Sequence, residues 1–164
     1  MMTVRQALYD DLEAINLIYN QAVDTRCSTA ETVHVDIDAR IRWFVEHDPL
    51  KYPVLVAELD GRVVGWTSLS PYRKGRQGLS STVEISYYVH ADYRRRGVGS
   101  AMMRAVLGKA KEFGYRNVIA ILFDTNEASI RLLEKNGFER WGLMPGIIDV
   151  DGKTYGHLYC GRRL

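Results

Sequence analysis

The stretch Thr82–Ala105, TVEISYYVHADYRRRGVGSAMMRA, decides how this chain folds. Its opening alternates, with Val83, Ile85, Tyr87 and Val89 in one set and Glu84, Ser86 and Tyr88 in the other. A period of two puts the sets on opposite faces of a strand. Its end runs into a helix, with Met103, Val106, Leu107, Ala110 and Phe113 at helical spacing. Between them lies Arg94-Arg95-Arg96-Gly97-Val98-Gly99-Ser100. A basic, glycine-bearing turn that feeds a helix start is an anion site. The first-turn amides have no partner inside the helix, and the helix dipole favours negative charge there. At Gly97 and Gly99 no Cβ holds a ligand off the backbone. No Gly-Lys-Ser/Thr follows, so this is not a nucleoside-triphosphate loop, and the third glycine of a dinucleotide fingerprint falls at Met102. An ordinary strand–helix turn with solvated arginines is the competing reading.

Downstream, Asn117–Phe123 is an almost unbroken apolar run. Strand, helix and strand over this length predict a right-handed crossover between parallel strands. Asn126–Asn136 reads as a short helix closed by Gly137 in the left-handed conformation, with Phe138 set to contact Leu133. Phe138–Val150 and Lys153–Arg163 read as closing strands joined at Asp151-Gly152. Upstream, Thr3–Ala7 reads as a first strand. Asp10 is placed to cap a helix that buries Leu12, Ile15, Tyr19 and Ala22, with Glu13 near capping-box spacing. Residues 23–35 have no period and read as a loop. A second helix is expected after Asp36, burying Ile37, Ile41, Phe44 and Val45 and stopping before Pro49. Val54–Leu59 and Val63–Leu69 form a hairpin at Asp60-Gly61. The order β-α-α-β-β-β-α-β-α-β-β predicts an α/β fold in one domain over residues 1–164. Its mixed sheet is antiparallel in the N-terminal half and parallel at the centre, with helices on its faces.

The chain has 164 residues, enough for one core, and its net charge of +2 is too mild to argue for nucleic acid. No apolar run spans a membrane, and the N-terminal MMTVRQALYDDL lacks the apolar core of a signal peptide. Cys27 and Cys160 read as reduced thiols of a cytoplasmic protein rather than a disulfide or metal site, and no metal is expected.

The spacing Arg94-x-x-Gly97-x-Gly99 and the block NEASIRLLEKNGFERWG (Asn126–Gly142) resemble the GNAT family of N-acetyltransferases. The similarity runs from about Val4 to the C-terminus. IYNQAV (Ile18–Val23), TAET (Thr29–Thr32), YPVLVAELDGRVVGWTSLSPY (Tyr52–Tyr72), STVEISYYVH (Ser81–His90) and GLMPGIIDVDGKTYG (Gly142–Gly156) are similar to the phosphinothricin and methionine-sulfoximine acetyltransferase subgroup. The resemblance implies acetyl-CoA as co-substrate, a small amine acceptor and a homodimer. It implies that Tyr87, Tyr88 and Val89 pair with the pantetheine arm between two splayed parallel strands, with the Val89 amide polarising the thioester carbonyl. It implies a pyrophosphate cradle at Arg94, Arg95, Arg96, Gly97, Val98, Gly99 and Ser100. Asn126 is expected to touch the arm, to cap its helix, or both.

Acetyl transfer needs a neutral amine, and a free alkylamine has a pKa of roughly 10.4. Glu84, the one carboxylate of its strand, is the candidate base, directly or through water. The alternative is an exposed charge on an edge face. Where many family members carry a tyrosine, and the phosphinothricin enzymes a histidine, five residues before the Phe of the Gly-Phe pair, this chain has Leu133. Tyr87, Tyr88 and Tyr155 are the other candidate proton donors, and the thiolate leaving unaided is the fourth option. An acceptor carboxylate calls for arginine, and Arg73 and Arg76 lead into the Glu84 strand; a solvated loop is the other reading of that segment. Thr29 and Thr32 are candidates to read a polar acceptor side chain. His157 reads as a packed or edge histidine, and Trp43, Trp66 and Trp141 as core or interface anchors. The expected activity is acetyl transfer to an amino acid or a toxic analogue of one. Transfer to a protein N-terminus or another amine, and acyl-CoA sensing without catalysis, are the rival readings.

Overall fold

The computed structural model describes residues 1–164. Seven strands form one sheet in the order β1-β2-β3-β4-β5-β7-β6. They are β1 (Met2–Gln6), β2 (Val54–Leu59), β3 (Arg62–Pro71), β4 (Thr82–Val89), β5 (Asn117–Phe123), β6 (Glu139–Val150) and β7 (Lys153–Arg163). The helices are α1 (Leu12–Asp24), α2 (Ile37–Val45), α3 (Val98–Glu112) and α4 (Glu127–Lys135). Every pairing is antiparallel except β4 with β5. The predicted mixed sheet, its element order and its central parallel pair are therefore present.

Local chemistry accounts for the joints. Asp60-Gly61 and Asp151-Gly152 both have positive φ at each residue, which the tight turn of a twisted hairpin requires. Gly137 has φ 79°, and the Phe138 amide donates to the Leu133 carbonyl at 3.1 Å, closing α4 as expected. The Asp36 carboxylate accepts the Ala39 N–H and caps α2.

Two N-terminal expectations are corrected. Asp10 caps nothing; a 3-10 turn over Tyr9–Asp11 precedes α1, and the Asp11 carboxylate accepts the Leu8 N–H at 2.7 Å. Asp11 wins because Arg5 of β1 grips both its oxygens. In α2, Ile41 and Phe44 pack against the core as expected, but Ile37 and Val45 are exposed, and the one fully buried residue is Arg40, at 4%. Its guanidinium lies over the rings of Tyr19 and Trp43 at 4.6 and 4.7 Å, so aromatic faces take up the rest of the helix's buried side.

The sheet separates two cores. On one face, Val83 and Ile85 of β4 pack with Met103 and Val106 of α3 and Leu133 of α4. On the other, Ile15 and Ile18 of α1 pack on Val54, Val56 and Trp66, with Tyr88 of β4 against them. The alternation along β4 thus sends its odd-numbered side chains toward α3 and α4 and its even-numbered ones toward α1.

Candidate active site

The site is a failure of strand pairing. β4 pairs with β5 only at Thr82↔Asn117, Val83↔Val118 and Glu84↔Ile119. From Ile85 onward the two strands part. β4 stays registered with β3 as far as Val89, and β5 with β7 as far as Phe123, so neither closes the gap. The crevice between them holds about 660 Å³.

The edge of β4 in this gap has unpaired backbone. The His90 N–H donates to Val64 of β3 at 2.9 Å. Backbone groups alternate in direction along a strand, so the N–H and C=O groups of Tyr88 also turn toward β3. Those of Tyr87 and Val89 turn into the crevice. This refines the expectation for the trio: Tyr88 lines the crevice, but its backbone is committed to the sheet.

The phosphate end of the predicted site lies where β4 runs out. A 3-10 turn over Ala91–Tyr93 leads to Arg94 in extended backbone, Arg95 at φ 61° and Gly97 at φ 82°, which starts α3. No side chain caps α3, so its first-turn amides are free. Arg94, Arg95, Gly97, Val98, Gly99 and Ser100 all line the crevice. Arg96 does not: its guanidinium turns over the Tyr93 ring at 5.3 Å. Neither Arg94 nor Arg95 joins any ion pair of the fold. Two unpaired guanidiniums beside uncapped helical amides fit a diphosphate.

Close packing sets the loop's position. A Cβ on Gly65 of β3 would meet Val98 Cγ1 at 2.9 Å, and one on Gly99 would meet Leu132 Cδ2 at 3.0 Å. The two glycines bring α3 down onto the sheet on one side and onto α4 on the other.

The far wall is α4. Asn126 lines the crevice and caps α4, its side-chain oxygen accepting the Ser129 N–H at 3.2 Å, so both of its expected roles are geometrically compatible. Ser129 also meets the Tyr87 hydroxyl across the gap, Oγ to OH 2.9 Å. Burial pushes the Tyr87 hydroxyl up to about 12, although the Ser129 contact pulls the other way. Sequence reasoning did not single out Ser129, Arg131 and Leu132, which also line the crevice. Their signal was the helical spacing that follows Asn126. Leu133, which stands where the resemblance leads one to expect a proton donor, is fully buried.

On the α1 side, Ser86, Tyr88, Ala22 and Ser28 line the crevice. Glu84 shares this face but lies one step of the alternation deeper, where the parallel pairing ends, and it does not line the crevice. It is half-buried, and burial raises its carboxyl above the usual range with no charged neighbour to offset it. The exposed edge charge considered for Glu84 is therefore not what the fold contains.

Arg73 and Arg76 line a separate concavity of about 200 Å³ that reaches Thr82. In strand order Glu84 falls between that concavity and the crevice. Thr29 bonds its hydroxyl to Tyr19 at 3.0 Å, while Thr32 is exposed and offers only its carbonyl, to Arg26. Neither threonine lines the crevice. His157 meets Tyr159 edge-on and Tyr155 lies tilted against Phe123, both outside it.

A family model described as the Acetyltransferase (GNAT) family matches residues 12–138. This chain belongs to the GNAT family. It is an acetyl-CoA-dependent acetyltransferase of that type. It is 40% identical over 99% of both chains to YwnH of Bacillus subtilis, which carries a provisional phosphinothricin acetyltransferase name. It is 36% identical to a Salmonella typhimurium L-methionine sulfoximine/L-methionine sulfone acetyltransferase, over 89% of this chain and 85% of that one. A GNAT superfamily phosphinothricin acetyltransferase from Sinorhizobium meliloti, solved with acetyl-CoA, superposes with a TM-score of 0.94 at 29% identity, covering 99% of this chain and 88% of that one.

Proposed function

We propose that this GNAT enzyme moves an acetyl group from acetyl-CoA to the α-amine of an amino acid or amino-acid analogue of the phosphinothricin or methionine-sulfoximine kind. The observation that carries it is the strand gap at Ile85–Val89, which opens at an uncapped helix start and closes at the last parallel pair, that of the half-buried Glu84. The relatives named for phosphinothricin and methionine sulfoximine support the acceptor class.

In this proposal Arg94, Arg95 and the amides from Gly97 to Ser100 hold the diphosphate. The inward backbone groups of Tyr87 and Val89 hold the pantetheine arm as an added strand. Val89 lies next to the phosphate loop, so the deeper Tyr87 N–H suits the thioester carbonyl better than the Val89 N–H first considered for it. Asn126 steadies the arm from α4. The acceptor enters on the α1 face, and Glu84 takes a proton from its ammonium through water. The amine nitrogen then bonds to the carbonyl carbon, the carbon–sulfur bond breaks with its electron pair leaving on sulfur, and the nitrogen's second proton follows the first through water to solvent, leaving the neutral amide and CoA thiolate. No enzyme nucleophile takes part. Arg73 and Arg76, beyond Glu84, receive the acceptor carboxylate, and Thr29 and Thr32 shape the entrance on the α1 side.

We further propose a cytoplasmic homodimer. Its support is the edge strand β6, which exposes Trp141, Leu143, Met144 and Ile147. No helix is long and apolar enough to cross a membrane.

Free-thiol release from acetyl-CoA across a panel of amino acids, polyamines and N-terminal peptides tests the activity. Turnover is expected on amino acids carrying a free carboxylate, and Arg76→Ala should raise KM for them with little change in kcat. Turnover confined to peptides or polyamines would overturn the acceptor class. Binding of acetyl-CoA without turnover on any amine would point to a sensor. Arg95→Ala should weaken acetyl-CoA binding about tenfold, more at low salt than at high salt, with the fold intact by circular dichroism.

A further inference from the structure

The fold leaves the departing sulfur without its expected partner. Leu133 fills the family's donor position and is sealed in the core, where its carbonyl closes the helix cap. Of the other tyrosines considered, Tyr155 lies against Phe123, away from the crevice. The Tyr88 ring lies on the opposite face, within 5.0 Å of both Trp66 and Tyr19. Tyr87 alone reaches from β4 toward α4, and its hydroxyl meets Ser129 at 2.9 Å. Both residues line the crevice. With phosphates at the loop beyond Val89, the reacting end of a coenzyme lies deeper along β4, toward Ile85, which is the level of the Tyr87 ring.

We propose that the Tyr87 hydroxyl, held in place by Ser129, donates a hydrogen bond to the sulfur as the carbon–sulfur bond breaks. The proposal rests on the acetyl-transfer reading above. Tyr87 is the catalytic residue of this step and Ser129 its positioning residue. The 2.9 Å contact allows either hydroxyl to donate; in this role the Ser129 Oγ donates to the tyrosine oxygen, and the tyrosine O–H turns into the crevice. A hydroxyl at about 12 stays protonated opposite a thiol near 8.5, so the proton remains on Tyr87. The bond stabilises the anion, and solvent protonates the thiolate after release. Burial, which raises the hydroxyl, keeps this donor neutral across the working pH range.

Tyr87→Phe keeps the ring and removes the donor. It should lower kcat by roughly ten- to a hundredfold, the scale for losing one preorganised donor to developing charge. Its Kd for acetyl-CoA should change less than threefold. The deficit should shrink to about twofold with an acetyl thioester of a much more acidic thiol, whose anion needs less help. A readout independent of turnover is the thiol pKa of bound CoA, followed by thiolate absorbance. It should lie below the free value in the wild type and rise in Tyr87→Phe. Ser129→Ala should fall between the two. A Tyr87→Phe enzyme with wild-type kcat and an unchanged bound-thiol pKa would overturn the proposal. If the wild type itself releases no thiol with any amine, the acetyl-transfer reading fails first, and the two failures are told apart by that control.

Discussion

At the residue scale, Glu84 shows what a sequence conveys and what it hides. Its place in an alternating strand was legible, and so was its isolation as the strand's one carboxylate. Its environment was not, because burial depends on where β4 stops pairing with β5. That is set by the twist of the sheet and by β7 holding β5, neither of which has a local signature. Arg96 is similar: three consecutive arginines look alike in sequence, but the left-handed Arg95 rotates its successor onto Tyr93 and away from the crevice. The raised Glu84 carboxyl carries a prediction. A base works when ionised, so kcat/KM should rise with pH through the folded Glu84 value, above the ordinary carboxylate range. Glu84→Gln should remove that acidic limb and lower kcat/KM by roughly 10²- to 10⁴-fold, the usual scale for a general base. A flat, wild-type-level profile in the variant would exclude the role. The stability linkage has the opposite sense. Folded Glu84 holds its proton more tightly than unfolded Glu84, so this residue favours the fold at low pH and progressively opposes it as pH rises through the folded value.

At the element scale, most turns and most buried faces were legible: α1 buries Leu12, Ile15 and Ala22, and α3 buries Met103, Val106, Leu107 and Ala110, as their spacing predicts. The two Asp-Gly turns, the Gly137 cap and the full length of β5 follow from residues that have few alternatives. α2 misled because apolar periodicity assumes an aliphatic core, whereas here Tyr19, Trp43 and Trp66 make one that accepts a guanidinium. The α1 entrance misled because adjacent aspartates both suit a cap, and only Arg5 of β1, which grips Asp11, distinguishes them. Burial raises the Asp11 carboxyl, but hydrogen bonds from Arg5 and the Leu8 N–H outweigh it and hold the carboxyl below its ordinary value. Asp11 therefore stabilises the fold at neutral pH, and that contribution is lost as pH falls through the depressed value. Asp11→Asn should cost about 1–3 kcal/mol in urea unfolding at pH 7, with the difference from wild type narrowing in acid. Gly65 matters differently, since it fixes the seat of α3. Gly65→Ala forces a methyl into Val98 and Met102, lifting the first turn of α3 or straining β3, at about 1–3 kcal/mol. Acetyl-CoA affinity should fall with stability in this variant, although residue 65 is outside the crevice lining. Unchanged affinity would show that the loop keeps its position without that contact.

At the scale of the whole molecule, the unpaired stretch divides the sheet into two blocks, β1 to β4 and β5 to β6, joined by three residue pairs, by α3 and by the packing of α4. A ligand strand in the gap would knit the blocks together, so coenzyme binding should be felt as global stability. A ligand bound only by the folded state adds about 2.7 kcal/mol at a hundred times its Kd, and the thermal midpoint should rise accordingly. The backbone geometry makes a sharper demand. The Tyr88 amide is already turned to β3, while the Tyr87 and Val89 amides face the crevice. Hydrogen exchange resolved by residue should therefore show slow exchange at Tyr88 with or without acetyl-CoA. At Tyr87 and Val89 exchange should be fast in the free protein and slow in the complex. A uniform slowing of all three amides would mean that the ligand acts by general tightening of the sheet. Unchanged exchange at Tyr87 and Val89, alongside tight binding, would mean that the arm lies elsewhere. Only the alternating pattern is what an added strand against this one edge produces.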